Sequence, residues 1–174
     1  MDDPFSLLGL PRRYALDRAA LESAYLSRSA AFHPDVVGDS SFGPDDRSAE
    51  LNQARQTLQD PERRAVALWS LLVAAAGNVV KPDEKALPPG FLLQVMQWRE
   101  ELDEARASRD AASLAAFERL AEARRAEHEL AVAALFGKAM STPPPATLDA
   151  LLGQIRLELN AWRYTERLLE QLDG

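Results

Sequence analysis

Apolar residues recur at three- and four-residue spacing along most of the chain, and no stretch shows a convincing period-two alternation. The pattern predicts an all-α protein. Residues 4–10 (PFSLLGL) read as a short helix closed by Gly9 and Pro11. Asp17 then caps a second helix, with Leu16 and Leu21 at the two staple positions and Leu21, Ala24, Tyr25 and Phe32 as its buried stripe. Residues 37–46 form a turn-rich loop, and a third helix resumes at about Asp46 with Leu51, Ala54 and Leu58 on one face. Asp60-Pro61 suits the N-cap and first position of a fourth helix. That helix buries Ala65, Leu68, Trp69, Leu72, Val73 and Ala76 and stops at Gly77.

Residues 77–90 (GNVVKPDEKALPPG) contain three prolines and two glycines and mark the boundary between two domains, 1–76 and 91–174. Beyond it, helical pattern runs from 91 to 137, divided near Ser108-Arg109-Asp110, and after STPPPAT a last helix spans about Leu148 to Leu172. Three helices on short links predict an antiparallel three-helix bundle. Spacing the first of them at about 100° per residue places Phe91, Val95, Trp98, Leu102 and Ala105 on one narrow stripe, sufficient to bury it. Leu92, Leu93 and Met96 fall elsewhere, near Gln97, Arg99 and Glu100. On the last helix Leu148, Leu151, Leu152, Ile155, Leu159, Trp162 and Leu169 make the core stripe, while Leu157, Tyr164 and Leu168 point roughly the opposite way. A second apolar face bordered by charge suits a partner-binding surface, although packing on the N-terminal domain or on a second copy accounts for it equally well from pattern alone.

Charge and composition narrow the chemistry. Twenty basic against 27 acidic residues give a net charge of −7, which argues against nucleic acid as a partner. No cysteine is present, so thiolate-held metal or iron–sulfur centres are excluded, and two histidines with no ligand spacing leave no metal or cofactor site to expect. No apolar run reaches the length of a membrane span. The acidic Met1-Asp2-Asp3-Pro4 start is unlike a signal or transit peptide, and a cytoplasmic protein is expected.

The one motif outside the core pattern is His33-Pro34-Asp35, which follows the second helix directly. Proline biases His33 away from the helical region, so the helix stops and the tripeptide sits at the tip of a helical hairpin. Three placed groups on such a tip suit docking better than catalysis, since no nucleophile or second base lies beside them. His128 stands among Arg124, Arg125, Glu127 and Glu129 and reads as part of a solvated helix surface.

With these residues in hand, the chain resembles the HscB family of J-type co-chaperones in iron–sulfur cluster assembly. FSLLGL, the hairpin with His33-Pro34-Asp35, Leu51-Asn52-Gln53-Ala54 and Asp60-Pro61 with Arg63-Arg64-Ala65 resemble a J-domain. LGLPRRYALD, LNQARQTLQDPERRA, FLLQVMQWREELDEA and the late WRY are similar to HscB strings in particular. The resemblance implies that the J-domain binds an ATP-driven heat-shock chaperone, HscA or a DnaK-like relative, and triggers its ATP hydrolysis through His33, Pro34 and Asp35, with Arg28 on the second helix. It implies that the C-terminal bundle holds an IscU-type scaffold through Leu92, Leu93, Met96, Gln97, Arg99, Glu100 and Tyr164. These coincide with the surplus faces found from periodicity.

Three departures stand out. The family usually has lysine where this chain has Val36, and the second helix offers only Arg18 and Arg28 as cations, so steering toward an acidic chaperone should be weaker. Gln97 is uncharged where the family often has an acid. A J-type co-chaperone for another client, and a helical adaptor or weakly self-associating protein with a vestigial J-domain, remain as alternatives. The protein itself is not expected to be an enzyme.

Overall fold

The computed structural model describes residues 3–31, 44–77 and 85–172. Among these residues it contains seven α-helices: α1 (Pro4–Leu8), α2 (Arg18–Ala31), α3 (Pro44–Gln59), α4 (Pro61–Ala76), α5 (Phe91–Ala107), α6 (Ala111–Ala139) and α7 (Pro145–Leu172). The all-α expectation holds, with α3 and α7 beginning two and three residues earlier than the pattern indicates. The chain divides into two compact units, Met1–Leu71 and Leu72–Gly174.

Caps start the helices where the sequence places them. Asp3 accepts hydrogen bonds from the backbone N–H groups of Phe5 and Ser6 at 3.0 and 3.1 Å, and Asp17 does the same for Ala19 and Ala20. Asp60 accepts from the Arg63 N–H at 2.9 Å, directly ahead of Pro61. α1 ends at Gly9, whose φ of 68° is the left-handed conformation that terminates helices without a Cβ penalty. Asp110 opens α6 by accepting from Ala112 and Ser113, and the Ser113 hydroxyl leads the hydrogen bonds that hold its carboxyl below the usual range.

In the first unit α1 packs on both α2 and α3, which pack on each other. The core is Phe5, Leu8, Tyr14, Leu21, Leu51, Ala54, Leu58, Ala65 and Leu68, all buried. Arg64 closes one side: it donates to the Leu58 carbonyl at 2.7 Å and lies 5.0 Å over the Tyr14 ring.

The second unit is a three-helix bundle in which α6 and α7 make the longest contact and α5 covers them. All five stripe residues predicted for α5, Phe91, Val95, Trp98, Leu102 and Ala105, are buried. The first four meet Phe117 of α6 and Ala161 and Leu168 of α7 in one cluster. Leu168 is therefore core, 3% exposed, and not part of an outward face. The reason is that α7 is enclosed on more than one stripe, with ten buried residues spread over much of its circumference.

Candidate functional site

The sequence-predicted residues that the structure describes fall on both units, Arg28 on the first and the α5 and α7 residues on the second. On the first unit the α2–α3 hairpin is held by a polar clasp. The Tyr25 hydroxyl donates to Asn52 Oδ1 at 2.6 Å, and Arg55 reaches Glu22 with contacts of 3.0 and 2.8 Å to its two carboxylate oxygens. The Arg55 guanidinium also lies 4.8 Å from the Tyr25 ring centre. Glu22 and Tyr25 are one turn apart on α2, as are Asn52 and Arg55 on α3, so the clasp fixes both the spacing and the register of the hairpin. Arg55 is raised above the ordinary guanidinium value, chiefly by its hydrogen bond to Glu22.

Arg28, the predicted cation of α2, is exposed, and its guanidinium rests over Gly9: a Cβ built on that glycine meets Arg28 Nη2 at 2.8 Å. It thus leans back on the end of α1. His33, Pro34 and Asp35 lie outside the described residues.

On the second unit the two faces of α5 separate cleanly. While the stripe from Phe91 to Ala105 is buried, Leu92, Leu93 and Met96 are 57%, 64% and 53% exposed. Gln97, Arg99 and Glu100 are exposed beside them. Three large apolar side chains in solvent on one face are unusual for a helix whose core requirement is already met. Tyr164 is half-buried and not outward: its ring meets Phe91 at 6.3 Å between centroids, with the planes at 72°. That contact nevertheless brings Tyr164 to the residue preceding Leu92. Leu157 is also half-buried.

His128 overturns the reading of it as surface. It is 7% exposed, with Nδ1 2.6 Å from Glu158 Oε1 and Nε2 3.1 Å from Thr165 Oγ1. A periodic signal for it exists, since Ala121, His128, Val132 and Phe136 are spaced by seven, four and four and all are buried. The flanking charges mask it. Among the described residues no group of His, Asp or Glu side chains is arranged to hold a metal, and no helix is long and apolar enough to cross a membrane.

Comparison with known proteins bears on both units. Residues 87–173 match the family model of the HSCB C-terminal oligomerisation domain. A co-chaperone protein HscB homolog of Bordetella petrii is 36% identical over 178 aligned positions, covering 98% of this chain and 94% of the relative. The structure of chaperone HscB from Vibrio cholerae is 30% identical, with a TM-score of 0.62 over 98% of this chain and 99% of that one. Human co-chaperone protein HscB, at 22% identity, shares the fold with a TM-score of 0.77 over 99% of this chain and 81% of its own. Matches of this extent and identity leave one conclusion: the chain belongs to the HscB co-chaperone family.

Proposed function

We propose that this protein stimulates the ATPase of an HscA- or DnaK-class chaperone through its N-terminal domain and presents an IscU-type iron–sulfur scaffold on its C-terminal bundle. The observation that carries the reading is the exposure of Leu92, Leu93 and Met96 on a helix whose opposite stripe already supplies the bundle core. Apolar anchors ringed by Gln97, Arg99 and Glu100 have the make-up of a protein-binding hot spot. Tyr164 supports this face from within, by packing on Phe91.

On the chaperone side, Asp35 would make a charge-assisted hydrogen bond to a cation of the partner, Pro34 would pre-set the loop, and His33 would orient it. Arg28 would lie beside this loop on the same hairpin. No proton transfer is required of His33, because the hydrolysed phosphate is held by the other protein. The chain is thus an activator with no cofactor of its own, and the cytoplasm is the compartment proposed for it.

The test is steady-state ATP turnover by the purified chaperone with this protein, the scaffold, or both. Stimulation by the protein alone, enhanced when the scaffold is added, supports the reading. Stimulation that ignores the scaffold assigns the bundle to another client, and no stimulation overturns the chaperone half.

A further inference from the structure

We propose that His128, Glu158 and Thr165 form a polar fastener that fixes the first turn of α5 and so positions the Leu92–Leu93–Met96 face for its partner. This rests on the reading of that face as the scaffold-binding surface.

The imidazole is committed at both nitrogens. Glu158 Oε1 lies 2.6 Å from Nδ1, where a carboxylate accepts Nδ1–H, and Nε2 lies 3.1 Å from the Thr165 hydroxyl, which also reaches the Ala161 carbonyl at 3.5 Å. Glu158 and Thr165 are seven residues apart, two turns of α7, so one ring on α6 is tied to two levels of its neighbour. A slip of α6 along α7 by one residue would lose both bonds. His128 and Thr165 are buried, and a site paying desolvation for two polar groups is worth keeping only when both are satisfied.

The ring passes its orientation on. One face stacks on Trp162 at 6.5 Å and 16°, and Phe91 meets the imidazole at 6.3 Å and 72°. Phe91 also makes edge contacts with Trp98 and Tyr164 at 6.1 and 6.3 Å. Charged groups border this network: Glu166 accepts from Trp162 Nε1 and pairs with Arg125, while Arg124 pairs with Glu127 and lies 6.0 Å over the Trp98 ring.

Phe91 is the first residue of α5, where its N–H donates to the Pro88 carbonyl at 3.1 Å and its ring is the first core anchor of the helix. Gly90 sits at a φ of 79° and provides no side-chain cap. The chain leading into it is held by the Asn160 amide donating to the Ala86 carbonyl at 2.8 Å and by Leu87 on the core cluster. The aromatic slot around Phe91, built on His128, therefore decides where the next two residues, Leu92 and Leu93, stand.

The test uses the full chain with an IscU-type scaffold, measured by titration calorimetry and by amide hydrogen exchange. His128→Phe keeps an aromatic ring and removes both hydrogen bonds. Thr165→Val, nearly isosteric, removes one and serves if the first variant does not fold. A folded variant should bind the scaffold on the order of tenfold more weakly, through faster dissociation. Its exchange should quicken over residues 86–96 and stay unchanged through the rest of α6 and α7. Wild-type affinity, or quickened exchange throughout α6 and α7 with no change at the start of α5, overturns the proposal. Alanine at Leu92, Leu93 and Met96 together is the control: if that variant still binds, the reading of the face fails, and the exchange pattern alone still decides whether the fastener holds α5.

Discussion

Tyr25 and Asn52 join α2 to α3 through a 2.6 Å hydrogen bond on a hairpin whose two helices are otherwise clasped by Glu22 and Arg55. The bond is exposed, yet it belongs to a unit in which the Arg55 guanidinium covers the same tyrosine ring. Such coupling makes the group worth more than a lone surface contact. Tyr25→Phe should cost the N-terminal unit about 1 kcal/mol, in the usual range for a hydrogen bond lost without a cavity. Urea unfolding checks it. In a double-mutant cycle with Asn52→Ala the two losses should be less than additive; strict additivity would mean the bond contributes nothing.

Asp3 gives a pH dependence of known sign. Partial burial works against its ionisation, but hydrogen bonds from Arg12, the Ser6 hydroxyl and the Ser6 N–H outweigh that and hold the carboxyl at about 2, against an ordinary 3.8. Its folded-state value is depressed, so the unfolded chain takes up the proton first as pH falls. The stabilisation is complete well above 3.8 and disappears as pH drops through about 2. Arg12 is largely exposed, so the cap bonds to the start of α1 matter more than the ion pair. Asp3→Ala should cost about 1 kcal/mol at neutral pH and flatten the acid limb of the stability curve. Thermal melts across pH 2–5 would show an unchanged limb if the cap is unimportant.

His33→Gln should abolish stimulation of the chaperone ATPase and leave scaffold binding and helix content unchanged. The sequence pattern puts the motif between two helices, at a position expected to supply a docking group and not a core contact. Single-turnover ATP hydrolysis is the measurement. Undiminished stimulation by the variant would remove the basis for a J-domain function.

Val36→Lys should raise chaperone affinity through the association rate, with a gain that shrinks in high salt. The second helix and the loop after it hold no lysine, and Arg28, the candidate closest to the motif in sequence, leans over Gly9. Stopped-flow association at two ionic strengths separates the cases: an equal gain at both points to packing and not to steering.

The α5 core stripe was fully legible, because a helix covered on one side keeps a single 100° periodicity from Phe91 to Ala105. Leu168 was not. On α7 burial extends beyond one stripe, so a residue opposite Leu159 or Trp162 by angle can still be core, and only packing against α5 reveals it. His128 was hidden for the reverse reason. Its own position follows the buried rhythm of α6, but the charged residues on either side suggested solvent, and its partners come from 30 and 37 residues further along the chain. Local pattern identifies which face of a helix is apolar; it does not report which polar groups are satisfied across the bundle.

The exposed face of α5 offers the most decisive experiment. Replacing Leu92, Leu93 and Met96 together by alanine should weaken scaffold binding by at least about 2 kcal/mol, the usual cost of truncating buried interface anchors. Folding stability should change little, since each side chain is more than half in solvent and its removal opens no cavity. Were they core residues, three large-to-small changes would cost several kcal/mol and lower the melting temperature sharply. Basal stimulation of the chaperone should persist, because these residues belong to the second compact unit and the motif to the first. Calorimetric titration with the scaffold, thermal denaturation and ATP turnover on the same preparation therefore give a joint signature: lost binding, retained stability, retained basal activation. Early unfolding would return these side chains to the core, and normal folding with undiminished binding would place the scaffold on a different face of the bundle.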